Sequence, residues 1–214
     1  MKGQPNPCDE LDHDATSDSL TIGFSYAGTD ADGDQAANGT ASVTIEDDVP
    51  VQGAPGTAVV LGEDGLGDAN ASGGSFDASD VTSTGAVSLG ISWGADNDTQ
   101  NTDAADAFGR SVGFTNAAGT VAAAGSVAAV DAGLTITGGT LSSGGVALVY
   151  SVSTTPTGGQ VLTATKGAGG EDIFTLTLDA TAPNGAYTFE LLGELDHDAT
   201  SDSLTIGFSY AGTD

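Results

Sequence analysis

Positive charge is nearly missing from this chain: its 214 residues hold three Lys or Arg and two His against 30 Asp and Glu, a formal net charge of −27. Lys2, Arg110 and Lys166 stand singly, whereas binding to nucleic acid needs clustered Lys and Arg against the phosphates, so that class of partner is excluded. Cysteine is nearly missing too. Cys8 stands alone, which excludes a disulfide framework and a thiolate metal site. No apolar run approaches the roughly 20 residues of a membrane-spanning helix, so no membrane insertion is expected, and no secretory apolar segment is visible. The only histidines, His13 and His197, share one motif, LDHD. One histidine per motif supplies neither a Ser-His-Asp arrangement nor a two-histidine zinc site. The acids crowd into Asp-rich turns and are not isolated among apolar neighbours that would raise a pKa, so paired-carboxylate hydrolysis has no support and an enzyme is not expected.

What the chain has instead is Asp and Gly. Of the 30 acids 24 are Asp, a residue that suits turns and short-armed ligation of hard cations, and Gly numbers 33. So much charge of one sign opposes compaction unless cations are bound. Disorder is nevertheless a poor reading, because 38% of the residues are hydrophobic and the large ones alternate.

The stretch ELDHDATSDSLTIGFSYAGTD occupies residues 10–30 and recurs without one difference at 194–214, which marks a tandem repeat of 184 residues. That period is too long for a helical solenoid and suits one all-β domain. Residues 1–9 match nothing before the second copy and read as an irregular leader; 10–48 read as the C-terminal part of one repeat, and 49–214 as the next repeat without its last strand. If Asp48 closes a unit, the following unit closes 18 residues beyond Asp214.

Leu20, Ile22, Phe24 and Tyr26 alternate with Thr21, Gly23 and Ser25, a period of two that predicts a half-buried antiparallel strand. After an Asp- and Gly-rich turn at 29–39, Ala41, Val43 and Ile45 alternate again, and the whole reads as a hairpin. The run from Glu46 to Pro50 is a junction, since Pro disfavours helix before it and donates nothing to a central ladder. A short strand is expected at 58–61, then an acidic loop. Val87, Leu89, Ile91 and Trp93 predict another alternating strand, which puts Trp93 in the core together with Phe108 and Phe114. A loop at 94–109 follows, with one helical turn at 104–108; 115–133 is poor in bulky side chains and offers one weak strand. Strands are then expected at 134–137, 146–152, 161–165, 173–179, 186–192 and 204–210, separated by Gly and Pro turns. Many short strands at this spacing predict an all-β antiparallel β-sandwich with little or no helix.

The runs FTLTLDATAPNGAYTFELLGELDH and LTIGFSYAGTDADGDQAANGTASVTIEDDVP resemble the repeat modules of giant type I secreted bacterial adhesins of the RTX and biofilm-associated class. The likeness covers most of residues 10–50 and 134–214, and more loosely GEDGLGDA; it keeps the order strand, LDH loop, strand, DADGD, strand, EDDVP. It implies an immunoglobulin-like or related β-sandwich extender that binds calcium, lies at the extracellular bacterial cell surface, serves attachment and biofilm formation, and has neighbouring repeats of its own chain as partners. Two departures stand against it. Glycine-rich nonapeptide arrays are absent, with one imperfect match at 167–174 where Ala168 replaces Gly, and the likeness does not extend to residues 96–130.

Four acid sets are candidate ligands. Asp30, Asp32 and Asp34 put three carboxylates on one turn, though Gly33 precedes the third acid and no Glu stands at the twelfth position, so this is no EF-hand. Glu46, Asp47 and Asp48, with Glu63 and Asp64, could hold an ion that stiffens a junction between domains, or form a solvated linker. Asp196, Asp198 and Asp202, copies of Asp12, Asp14 and Asp18, fit turn capping as well as ligation. Asp96, Asp98, Asn101, Asp103 and Asp106 suit a solvated loop, or a calcium-mediated contact with a glycan or another surface ligand in a ligand-binding module. A further alternative is a self-assembling fibre subunit. With no strand after 204–210, that edge is expected to be open, and residues 40–46 of another copy, joined head to tail, or of the same molecule could fill it by strand addition.

Overall fold

The structure, a computed structural model, describes residues 19–46, 49–66, 81–94, 109–136, 140–197 and 203–213, with Glu46 and Asp64 described by their backbone alone. The chain divides into two compact units, Met1–Asp48 and Val49–Asp214.

In the first unit β1 (Ser19–Tyr26) and β2 (Gly39–Glu46) form an antiparallel hairpin in unbroken register from Ser19↔Glu46 to Tyr26↔Gly39. Leu20, Ile22 and Phe24 stand opposite Ile45, Val43 and Ala41, so one face of the hairpin is apolar and the other carries Ser, Thr and Gly. The expectation of a half-buried strand fails here: Ile22, Phe24, Tyr26 and Val43 are 49%, 54%, 59% and 55% exposed. The alternation is present, but no second layer covers the apolar face among the described residues of this unit.

The second unit is all-β. Its elements are β3 (Val51–Gln52), a 3-10 turn at Glu63–Gly65, β4 (Val87–Ser88), β5 (Ile91–Ser92), β6 (Ser111–Phe114), β7 (Gly125–Val127), β8 (Thr135–Ile136), β9 (Ser142–Ser143), β10 (Val146–Thr154), β11 (Gln160–Lys166), β12 (Asp172–Asp179), β13 (Ala186–Leu191), β14 (Ile206–Gly207) and β15 (Tyr210–Thr213). The main sheet runs β4-β13-β12-β11-β10-β7, with β9 also on β10, and every pairing is antiparallel. Its inner face is Leu148, Tyr150, Val152, Leu162, Ala164, Phe174, Leu176 and Leu178, all buried, while the intervening Thr163, Thr175 and Thr177 are half-buried. Packed with it in one core are Leu89, Ile91 and Trp93 from the β4–β5 segment, Val112 and Phe114 of β6, and Leu134 and Leu141. Ile91, Val112 and Phe114 lie in, and Leu89, Trp93 and Leu134 beside, the strand pairs β3-β5, β6-β15 and β8-β14, which are separate from the main sheet, so the unit is a sandwich-like fold. Burial of Trp93 and Phe114, both 0% exposed, bears out their reading as core; Phe108 lies outside the described residues.

Three expected strands come out differently. Residues 58–61 form none: Val60 is 81% exposed, and pairing falls instead to Val51–Gln52 against β5. The strand expected through Val87–Trp93 is broken between β4, on β13, and β5, on β3. Gly90 makes the break, with φ of 74° and an approach so close that a Cβ there would lie 2.2 Å from the Ala54 carbonyl oxygen. Leu89, Ile91 and Trp93 still reach one core across it. The strand expected at 204–210 becomes β14 and β15, which share one edge: Ser209 donates to the Gly133 carbonyl at 3.2 Å and accepts from the Thr115 N–H at 3.0 Å. The line of pairing passes there from β8 to β6. Among the described residues no strand pairs with the other edge.

Gln160 joins the layers. Buried to 6% exposure, its Oε1 accepts from the Phe114 N–H at 2.8 Å, and its Nε2 donates to the Ala122 carbonyl at 2.9 Å. Gln160→Leu keeps the volume and strands both backbone groups, and should lower the stability of the second unit by about 2–4 kcal/mol. Urea unfolding of the variant, with the slope unchanged, measures this; a loss under about 0.5 kcal/mol would mean that water replaces the amide.

Candidate functional site

The three-aspartate turn is built by the hairpin's own backbone. Beyond β1 the two arms stay paired, with a bridge Thr29↔Gln35, Ala36 N–H on the Gly28 carbonyl at 2.9 Å and Asp30 N–H on the Asp34 carbonyl at 3.0 Å. Gly33, at φ 104°, lets the chain reverse. The Asp30 Oδ1 accepts from the N–H groups of Gly33 at 3.1 Å and Asp34 at 2.9 Å, an Asx-type cap that fixes the first carboxylate. One carboxylate oxygen from each of Asp30, Asp32 and Asp34 then lies within 4.8 Å of the others, and all three residues are exposed. Beside them is an open depression lined by Gly28, Thr29, Asp30, Asp34, Gln35 and Ala36.

This cluster could bind a metal ion. Oxygens on opposite sides of a calcium ion bonded at 2.3–2.6 Å are about 5 Å apart, so the spacing admits it without rearranging the backbone. The Asp30 carboxyl is held below its usual range, chiefly by a hydrogen bond with the Asp32 side chain and then by the backbone of Asp34, Asp32 and Gly33. No Lys or Arg falls between residues 19 and 46 to neutralise the three.

The LDHD motif of the second unit has a different place. Asp196 reaches across to the β9–β10 turn, where its Oδ1 accepts from Gly144 N–H at 2.9 Å and its Oδ2 from Gly145 N–H at 2.8 Å, while its own N–H donates to the Ser142 carbonyl at 2.8 Å. Gly144 and Gly145 have φ of 55° and 78°, the two left-handed residues of a tight hairpin turn whose N–H groups point outward together. Glu63, in the 3-10 turn, accepts from the Leu195 N–H at 2.6 Å through Oε1 and lies 3.4 Å from His197 Nε2 through Oε2. Leu195 itself is buried at 9% exposure. The loop is thus latched from both sides before β14 begins.

Of the residues expected to bind an ion, the structure gathers Asp30, Asp32 and Asp34. It turns Glu63 to the LDH loop and Asp196 to a hairpin turn. Asp47, Asp48, Asp198 and Asp202 lie outside the described residues, as do Asp12, Asp14 and Asp18 and the loop carrying Asp96, Asp98, Asn101, Asp103 and Asp106. Sequence reasoning missed the contact of Glu63 with Leu195, and nothing in the residue pattern joins positions 132 apart. The Gly144-Gly145 pair was a signal for a turn, though not for what would cap it.

No family model, no curated protein and no solved structure matches the chain.

Folding holds the Asp196 carboxyl below its ordinary 3.8, first through a hydrogen bond from the Ser142 side chain, then through the N–H groups of Gly145 and Gly144 and the charge of Lys166. A lowered folded value means that this stabilisation is complete above the ordinary value and is lost as pH falls through the folded one. Asp196→Asn removes the titration and half of the acceptors. The stability difference between wild type and Asp196→Asn should be constant above about pH 5 and shrink below about pH 4, as read from urea unfolding at each pH. A difference that grows on acidification would contradict the latch.

Proposed function

We propose that this chain is a calcium-stabilised extender repeat of a secreted bacterial adhesin, a mechanical spacer at the cell surface that serves attachment and biofilm formation. The observation that carries this reading is the turn at Asp30, Asp32 and Asp34, where three exposed carboxylates converge with no cation in their unit's described sequence. Hard oxygen donors of this kind select calcium or magnesium, and calcium is favoured because it accepts irregular carboxylate geometry and sheds its water more readily. The exact recurrence of 21 residues after 184 fits a protein that gains reach by repeating one domain. An antiparallel sandwich suits the role, since its strands bear load through many ladder hydrogen bonds at once. A net charge of −27 keeps such a fibre soluble, and bound cations offset the self-repulsion. By the same reading the chain is extracellular, with neighbouring repeats as its partners and no catalytic role.

An ion that binds only the folded state stabilises it by mass action. At a hundredfold excess over its Kd, calcium should stabilise the unit that holds the turn by about 2.7 kcal/mol and raise that unit's melting temperature, and magnesium should do so less. Asp32→Ala and Asp34→Ala should each remove part of that shift. Melting temperatures equal in EDTA and in millimolar calcium would refute the calcium reading; a full shift in both variants would place the ion elsewhere.

A further inference from the structure

The recurring stretch is described twice in part, and its two copies differ in what covers them. Ile206, Phe208 and Tyr210 pack against the core of the second unit, Phe208 meeting Tyr187 and Phe114 edge-on at 5.0 and 6.2 Å between ring centroids. The Tyr210 hydroxyl donates to the Leu89 carbonyl at 2.5 Å and accepts from Gln52 Nε2 at 3.0 Å. Their counterparts in the hairpin, Ile22, Phe24 and Tyr26, are exposed.

The glycines make the same point. A Cβ on Gly212 would meet the Trp93 ring at 2.9 Å, and one on Gly207 would meet Thr135 Oγ1 at 2.5 Å, so neither position takes a side chain there unless its neighbour shifts. Gly28 and Gly23, their counterparts, have nothing within 4 Å. Nothing near them in the hairpin requires these glycines, yet they match what β6 and β8 of the second unit demand.

The edges are compatible as well. Successive residues of a strand direct their N–H and C=O groups to opposite edges. Ser209 uses the edge facing β8 and β6, and its counterpart is Ser25. Gly28 and Asp30 bond to Ala36 and Asp34 in the hairpin; the register shifts by one residue between Tyr26↔Gly39 and Thr29↔Gln35, with the extra residue on the β2 arm, so the alternation of the β1 arm continues and Gly28, three residues from Ser25, uses the other edge. The stretch can therefore pair with β8 and β6 on one side while keeping its own hairpin partner on the other.

We propose that the hairpin of one copy docks on the second unit of another copy, in the place that residues 204–213 hold there, with β1 on β8 and β6 and with β2 as an added outer strand. The exchange replaces each contact of 204–213 with the same contact from an identical side chain. It covers the exposed Ile22, Phe24 and Tyr26, and it carries β2, still paired with β1, in as the outer strand while residues 204–213 of that copy are displaced. That place is already filled by the identical stretch, which makes this chain the occupant; a hairpin folded back on its own second unit would give no covalent pair between chains, so the test below separates it from exchange between copies. The proposal requires no bound ion and no particular biological role.

Thr213 and Ser111 are opposite each other in β15 and β6, with their hydroxyl oxygens 2.6 Å apart. In the docked pair Thr29 takes the place of Thr213. Full-length chains carrying Thr29→Cys and, separately, Ser111→Cys, each with Cys8→Ser, are mixed in EDTA and about 0.5 M salt to screen the charge, then oxidised. A covalent pair of chains is expected. Adding Gly28→Val to the Thr29→Cys chain leaves the hairpin unchanged by circular dichroism, but sets a side chain against the Trp93 ring of the partner and should cut the yield about tenfold. Gly212→Val in the Ser111→Cys chain vacates the place and should raise the yield. Absence of the covalent pair overturns the proposal, as does a yield indifferent to Gly28→Val, which would indicate hairpins meeting face to face. Because no calcium is present, the result stands apart from the calcium reading.

Discussion

Covering the inner face of β10, β11 and β12 is the constraint to which the rest of the second unit answers. Eight buried residues from Leu148 to Leu178 present one continuous apolar surface, and each aliphatic or aromatic side chain fully removed from water contributes about 1.5–3 kcal/mol. Outside the main sheet, the described strands of the second unit have two to four residues. The cover is assembled from short pieces, which explains why β3, β5, β8 and β14 have two residues each. Short pieces cannot hold their own register, so side chains tie them to what they cover: Gln160 to β6 and the Ala122 backbone, Tyr210 and Gln52 to the Leu89 carbonyl, Asn184 to the Ile91 carbonyl at 3.0 Å. Each of these ties satisfies a backbone group that an irregular layer would leave without a partner.

Charge is distributed on the same logic. Asp30, Glu63, Asp179 and Asp196 each accept a backbone N–H, as a chain with few cations requires. Arg110, 3% exposed, lies 5.5 Å from the centre of the Trp93 ring, where its charge supports the core. Lys166 is shared between Glu171, at 3.7 Å, and the field acting on Asp196. With so little positive charge to spend, tight turns became the means of holding acids: positive-φ glycines at 33, 144 and 145 aim N–H groups at Asp30 and Asp196.

Much of this was legible in the residues. Period-two alternation located the hairpin and the long strands β10 to β13 within a residue or two, because a strand with one buried face writes that face into its sequence. It could not see Gly90, where the alternation of Leu89, Ile91 and Trp93 continues through a change of sheet, since side-chain parity survives a break in the ladder. It misplaced 58–61, where Val59 and Val60 look like strand yet find no partner; propensity reports fitness for a pleated surface and not the presence of one. The aspartate turn was legible because its acids are neighbours in sequence. The latch of Glu63 on Leu195 was not, because its members meet only after the sandwich has closed.

The repeated stretch sets a limit on any reading from local sequence. Leu20 to Tyr26 and Leu204 to Tyr210 have one pattern, one propensity and one set of glycines, and yet the first is an unbroken eight-residue strand and the second two short ones. In the hairpin β2 offers eight partners in a row, so the ladder is continuous. On the second unit the facing edge changes at Ser209 from one piece of the cover to another, and the strand is interrupted where its partner changes. Strand length is here a property of the pair. The face, by contrast, is fixed by the residues themselves: in both settings the large side chains line one side, and only the second unit's core makes use of it.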